Sequence, residues 1–144
     1  MSTTGQRQAG FTLMEIILVV AIVAILAGLA LPNFQEHLRR GKRSDARLGL
    51  LRAAHWLERA ATAAGRYPVD AADFPDMLKS VPSGHYAIQF EPADAQGSGY
   101  TLTAIPQGDQ AADRCGGFTL GQTGLRGLAS ASASDDLKAE CWNR

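Results

Sequence analysis

The chain has 144 residues with 14 basic and 14 acidic side chains, and 46% of its residues are apolar. That size bounds it to one domain, and the apolar share excludes wholesale disorder. The zero net charge excludes a uniformly basic or acidic protein, yet the charge is divided. Residues 33–66 carry eight basic and three acidic side chains, and residues 67–144 carry five basic and ten acidic.

Residues 11–31, FTLMEIILVVAIVAILAGLAL, contain a single charge, Glu15. At 1.5 Å per residue this run makes a helix of about 31 Å, the thickness of a bilayer's hydrocarbon core. It is apolar all round, whereas a buried core helix of that length should carry a polar stripe, so a membrane-spanning helix is expected. A secretory signal cut after Ala30 fits poorly. Its basic n-region would hold only Arg7, and Glu15 would lie inside its apolar region. A plain anchor is the other alternative. For it, the positive-inside count places Arg39, Arg40, Lys42, Arg43 and Arg47 in the cytoplasm. An ionisable residue inside a spanning helix is costly and is a functional candidate by default.

The frame around that glutamate carries the strongest signal. Gly10-Phe11-Thr12-Leu13-Met14-Glu15, followed at once by the apolar run, closely resembles the processing motif of type IV prepilins and pseudopilins. The resemblance implies a leader over residues 1–10, cleavage between Gly10 and Phe11, and N-methylation of Phe11 by the same membrane peptidase. It also implies a filament in which Glu15 pairs with the new amine of a neighbouring subunit. In low dielectric both charges are expensive unless paired, so the pairing would set register during assembly.

Pro32 removes a backbone donor and, with Gly28 one turn earlier, predicts a kink or local break. The resemblance makes the pair a hinge of the hydrophobic helix, residues 11–32; a simple kink at the membrane exit is the bland alternative. Residues 33–65 then read as an amphipathic helix. Leu50, Ala53, Ala54, Leu57, Ala60, Ala61 and Ala64 share one face, Gly65 supplies a stop, and Pro68 lies just beyond it. The cluster Arg39, Arg40, Lys42 and Arg43 is a candidate nucleic-acid or subunit contact. It lacks interleaved aromatics for stacking, and its acidic partner is available in the second half of the chain.

Residues 66–144 predict a small head. Asp73-Phe74-Pro75-Asp76 reads as a helix N-cap with proline in the first turn. Tyr86, Ile88 and Phe90 alternate on one strand face, and residues 100–105 form a second strand. Phe118-Thr119-Leu120 and Leu125-Arg126 flank a glycine-punctuated turn, giving a hairpin. The expected fold class is α+β, a long N-terminal helix packed on a small antiparallel sheet, and the resemblance implies the type IV pilin fold. Cys115 and Cys141 are an even pair in an exported domain, which suggests a disulfide, with free thiols as the alternative. The resemblance supports the bond, since pilins often fasten their C-terminal region this way. Cys-Gly-Gly-Phe-Thr-Leu and the closing Cys-Trp are similar to the PilE-like branch of minor pilins.

No catalytic constellation is found. His37, His55 and His85 lack metal-pair spacing. Ser83-Gly84-His85 has no nucleophile-elbow context, and Gly121, Gly124 and Gly127 do not open a helix. Asp70, Asp73 and Asp76 do not match a calcium loop. The chain is therefore expected to be a structural subunit with no enzyme activity, cofactor or metal. By resemblance it is a minor pilin for pilus biogenesis, adhesion or twitching motility. Its implied partners are other pilins, the prepilin peptidase and N-methyltransferase, and an inner-membrane assembly platform. It would span the inner membrane once with its head in the periplasm, then reach the cell surface in the pilus. The alternatives are a type II secretion pseudopilin and a minor pilin that captures DNA for uptake.

Overall fold

The computed structural model describes residues 10–143, so residues 1–9 of the expected leader lie outside the described residues. One helix, α1, runs Leu13–Ala64, 52 residues without interruption. Of the kink or local break expected at Pro32, no break is present, because the helical backbone continues through it. Proline removes a single helix bond, to the carbonyl of Gly28. That costs about 3 kcal/mol or more, and the intact bonds on either side carry the helix across the gap. The helix ends as its sequence suggests, with Gly65 at φ 77° and its N–H donating to the carbonyl of Ala61 at 2.8 Å.

The chain divides into two compact units, residues 1–37 and residues 38–144. In the first, the described side chains of the apolar run are all exposed, from Ile16 at 48% to Phe11 at 79%. In the second, one stripe of α1 is fully buried: Ala46, Leu50, Ala53 and Leu57. Ala46 extends the expected stripe at its start, and Ala64 falls outside it because the helix end is exposed.

The sheet is a four-stranded antiparallel meander, β1 (Tyr86–Pro92), β2 (Tyr100–Pro106), β3 (Phe118–Gly121) and β4 (Arg126–Leu128). Ile88 faces Ala104 and Phe90 faces Leu102 across β1 and β2, while Leu102 faces Leu120 across β2 and β3. Alternation puts Tyr86, Ile88, Phe90, Leu102, Phe118 and Leu120 in the same core as the helix stripe. Gly49 shows how close helix and sheet come. A Cβ there would lie 2.7 Å from Val81 Cγ1 and 3.3 Å from Ile88 Cδ1, so only glycine fits without repacking.

The connection from α1 to β1 differs from expectation. It forms two single 3-10 turns, Ala71–Asp73 and Asp76–Leu78. The side-chain cap belongs to Asp70, whose Oδ1 accepts from the N–H of Ala72 at 2.8 Å, and Pro75 precedes the second turn without a side-chain cap. Each turn is too short to sustain the capped helix that the Asp73 reading implied. Gly97, at φ 72°, closes this connection against the β1–β2 loop: its carbonyl accepts from the N–H of Tyr67 at 3.1 Å.

Cys115 and Cys141 are bonded, with Cα atoms 5.9 Å apart and a sequence separation of 26. Cys141 lies in a second helix that sequence reading missed, α2 (Asp135–Asn143), opened by Ser134, whose Oγ accepts from the N–H of Leu137 at 3.2 Å. Trp142 fastens α2 to the sheet, donating from Nε1 to the carbonyl of Gly127 at 2.9 Å and meeting Phe118 edge-on at 5.6 Å. Arg114 and Glu140 form an ion pair beside the disulfide. Reducing the disulfide should lower the head's unfolding free energy by about 3 kcal/mol, chiefly by freeing the unfolded chain. Urea unfolding of the full chain in detergent, with and without reductant, measures this; an unchanged midpoint would contradict it.

Candidate functional site

Two places carry the candidate residues, the start of α1 and its basic stretch. At the start, Thr12 is the residue before the helix. Its Oγ1 accepts from the N–H of Glu15 at 3.2 Å, and its carbonyl accepts from the N–H of Ile16 at 3.2 Å. Thr12 is thus an N-cap, and Glu15 sits at the third helical position, where a carboxylate is favoured by the helix dipole. The threonine–glutamate spacing was open to view in the sequence as a capping box. Glu15 remains exposed, and its carboxylate makes no ion pair among the described residues. Gly10 and Phe11 are exposed immediately before it. A Cβ added at Gly10 would meet nothing within 4 Å, so packing does not account for the glycine. The same holds at Gly28.

The basic stretch divides. Arg40 is exposed, and Arg39 and Lys42 are half-buried. Arg43 does not belong to a surface cluster at all: it is 1% exposed and ion-paired. Its Nε donates to Asp113 Oδ2 at 2.8 Å and its Nη2 donates to Oδ1 at 2.5 Å, a bidentate pair between α1 and the segment leading into Cys115. Gln110 Nε2 donates to Asp113 Oδ2 and to the hydroxyl of Tyr86, each at 3.1 Å. Arg43 was read as a surface contact because its neighbours in sequence are charged. On the helix it falls one turn before Ala46 and two before Leu50, on the buried stripe. Asp113 was missed as its partner because nothing local distinguishes it from the other acidic residues of the second half.

The remaining candidates stay apart. His37 and His55 are exposed on α1 and His85 precedes β1; among the described residues, no three potential metal ligands converge. Asp70 caps a turn and Asp76 pairs with Lys79 at 2.6 Å, which also holds the Asp76 carboxyl below its usual range. On the far side of the head, Tyr67 and Tyr100 both donate to Glu58, at 2.9 and 3.1 Å, and tie the connection after α1 to β2. Burial first, and then the Glu58 carboxylate, push both tyrosines up.

Comparison with known proteins follows the same division. Residues 32–119 match the family model described as type IV minor pilin ComP, DNA uptake sequence receptor. Residues 5–31 match the prokaryotic N-terminal methylation motif. The chain is similar to the type IV major pilin protein PilA of Myxococcus xanthus, 47% identical over 34% of this chain but only 22% of that relative's length. It is 31% identical to the type II secretion system core protein G of Klebsiella pneumoniae, over 83% of this chain and 89% of the relative. A solved type IV pilin from Shewanella oneidensis superposes with a TM-score of 0.51 at 30% identity, covering 67% of this chain and 98% of that one.

The buried pair makes two predictions. Asp113→Ala leaves the Arg43 guanidinium buried without its carboxylate and should cost about 3–5 kcal/mol in chemical denaturation. Replacing Arg43 and Asp113 together by Met and Leu should cost markedly less, and equal losses would refute the ion-pair account. The second concerns pH. Burial raises the Tyr86 hydroxyl from 10.0 to about 12, against the opposing hydrogen bond from Gln110. Below pH 10 both states keep that proton and Tyr86 contributes in full. Above it the unfolded chain ionises first, so stability should fall as pH rises towards 12. Urea unfolding at pH 9, 10 and 11 should show that decline, shallower in Tyr86→Phe.

Proposed function

Because the chain belongs to the type IV pilin family, we propose that it is a minor subunit of a type IV pilus. The family's members are structural subunits that assemble through their N-terminal helices, and this chain has such a helix, long and apolar enough to cross a membrane. In the proposed course it enters the inner membrane with its head in the periplasm and is cleaved after Gly10. Phe11 is then N-methylated, and the subunit is drawn by the assembly platform into the filament. The observation that carries this reading is the exposed start of α1. An unpacked glycine, an exposed phenylalanine and a dipole-favoured glutamate open an apolar surface, and among the described residues nothing pairs with that glutamate or covers that surface.

Each feature then has a task. Gly10 gives a peptidase an unencumbered backbone at the cut. The new amine of Phe11 carries a positive charge, and Glu15 of a neighbouring subunit neutralises it. The apolar helices bury one another when they leave the bilayer, and Gly28 with Pro32 gives the helix a place to yield during that transfer. A pilin disulfide in the C-terminal region is consistent with an oxidising compartment for the head.

Two other roles have a specific observation behind them. The matched family model is described as a DNA uptake receptor, which favours DNA capture by a minor pilin. The extended likeness to core protein G favours a pseudopilin of a secretion machine. A steep salt dependence of DNA binding that weakens on replacing Arg39, Arg40 and Lys42 would select the first; co-purification with a secretion complex and absence from sheared pili would select the second.

The proposal is tested by mass spectrometry of the protein from native membranes and sheared filaments. The expected species starts at N-methylated Phe11 and carries the Cys115–Cys141 bond. Glu15→Gln should leave cleavage intact and sharply reduce recovery in filaments. A terminus at Leu31, or an intact Met1 in every fraction, would overturn it.

A further inference from the structure

Arg43 has a counterpart one helical turn later, Arg47, that has no carboxylate partner among the described residues. Arg47 donates to the backbone carbonyl of Trp142 and, from Nη2, to Ser44 Oγ at 2.7 Å. Arg126, reaching from β4, lies over the Trp142 ring with its guanidinium carbon 5.3 Å from the centroid and makes no ion pair among the described residues. The two guanidiniums face a shallow hollow of about 350 Å³ lined by Ser44, Arg47, Leu48, Leu51, Arg126 and Trp142, without an acidic residue. Burial, followed by the like charges of Arg43 and Arg126, lowers the pKa of Arg47. Arg126 on the Trp142 indole and Arg47 at the Trp142 carbonyl line one hollow with two leucines, and two guanidiniums so placed form a receptor for an anionic group.

We propose that this hollow is a carboxylate socket, filled in the assembled filament by an acidic side chain on the head of a neighbouring pilin subunit. The inference rests on the filament reading above and adds the second contact that Glu15 does not provide. Three observations favour a protein carboxylate over nucleic acid. The chain's own charge is partitioned, basic along residues 33–66 and acidic beyond, so a second copy presents the required chemistry. Asp136, exposed at the start of α2, is one such carboxylate without a partner among the described residues. The same helix already takes a carboxylate bidentately at Arg43. Finally, Leu48 and Leu51 remain 52% and 48% exposed beside the cations, an apolar rim suited to a protein surface.

The test uses the full chain in native membranes and sheared filaments, with a benzophenone amino acid at Leu48 in one strain and at Val23, in the apolar run, in another. Irradiation should join Leu48 to an acid-containing peptide of a pilin. Arg126→Glu should lower that yield about tenfold. Arg47→Gln should do the same, provided the Cys115–Cys141 bond still forms, and Arg66→Gln should leave the yield unchanged. Equal yields in Arg126→Glu and the parent, or an adduct to nucleic acid or a non-pilin protein, would overturn the socket. A Val23 adduct without a Leu48 adduct would overturn the socket alone. Neither adduct would overturn the filament reading with it.

Discussion

The structure depends on a constraint met by one helix: over 52 residues the backbone keeps its polar groups inside α1. An element of that kind can present unmixed apolar side chains outward, because apart from its two ends and the Gly28 carbonyl opposite Pro32 its peptide groups bond within the helix. The first part of α1 uses this freedom fully and exposes leucine, isoleucine and valine on every side. From Ala46 onward the same backbone offers a narrow stripe of alanine and leucine to a sheet, with charges elsewhere. Sequence periodicity alone separates the two regimes.

The transition is marked by arginine. Arg43 lies at the head of the buried stripe, and burying a guanidinium is tolerable only because Asp113 meets it with both oxygens. The pair joins the helix to the segment that continues into Cys115, whose bond to Cys141 holds α2 against the sheet edge. Helix, sheet and tail are thus coupled through a short path of polar contacts surrounded by aromatics, including Tyr86, Phe118 and Trp142. A head fastened in this way can be small, since the cross-links supply what a modest core does not.

The functional reading follows from what the folded chain leaves unsatisfied. A soluble domain of this size has little reason to expose a whole apolar helix, or a carboxylate at its start and a pair of arginines farther along that find no counterion among the described residues. Each is explained if the chain is one part of a larger assembly whose other parts supply the missing partners. The DNA-uptake and secretion alternatives share this requirement and differ only in which assembly it is. Arg43, once removed from the basic surface, no longer contributes to any of them directly.

What could be read from the sequence was what depends on near neighbours. The motif Gly10–Glu15, the apolar run, the amphipathic face, the alternation of Tyr86, Ile88 and Phe90 and the glycine-punctuated hairpin are all set by residues within a few positions of one another. The two cysteines added one distant pairing, because a lone pair leaves a single intramolecular choice. Local signals also misled where a short turn competes with a helix, at Asp70 to Asp76, and where proline signals a break that flanking bonds can bridge. Tertiary structure alone decided that Arg43 is buried with Asp113, that Gly49 is a point of contact with Val81 and Ile88, and that Arg47 and Arg126 share Trp142. Those contacts join residues tens of positions apart, and a charge or a glycine carries no mark of its partner until packing brings the two together.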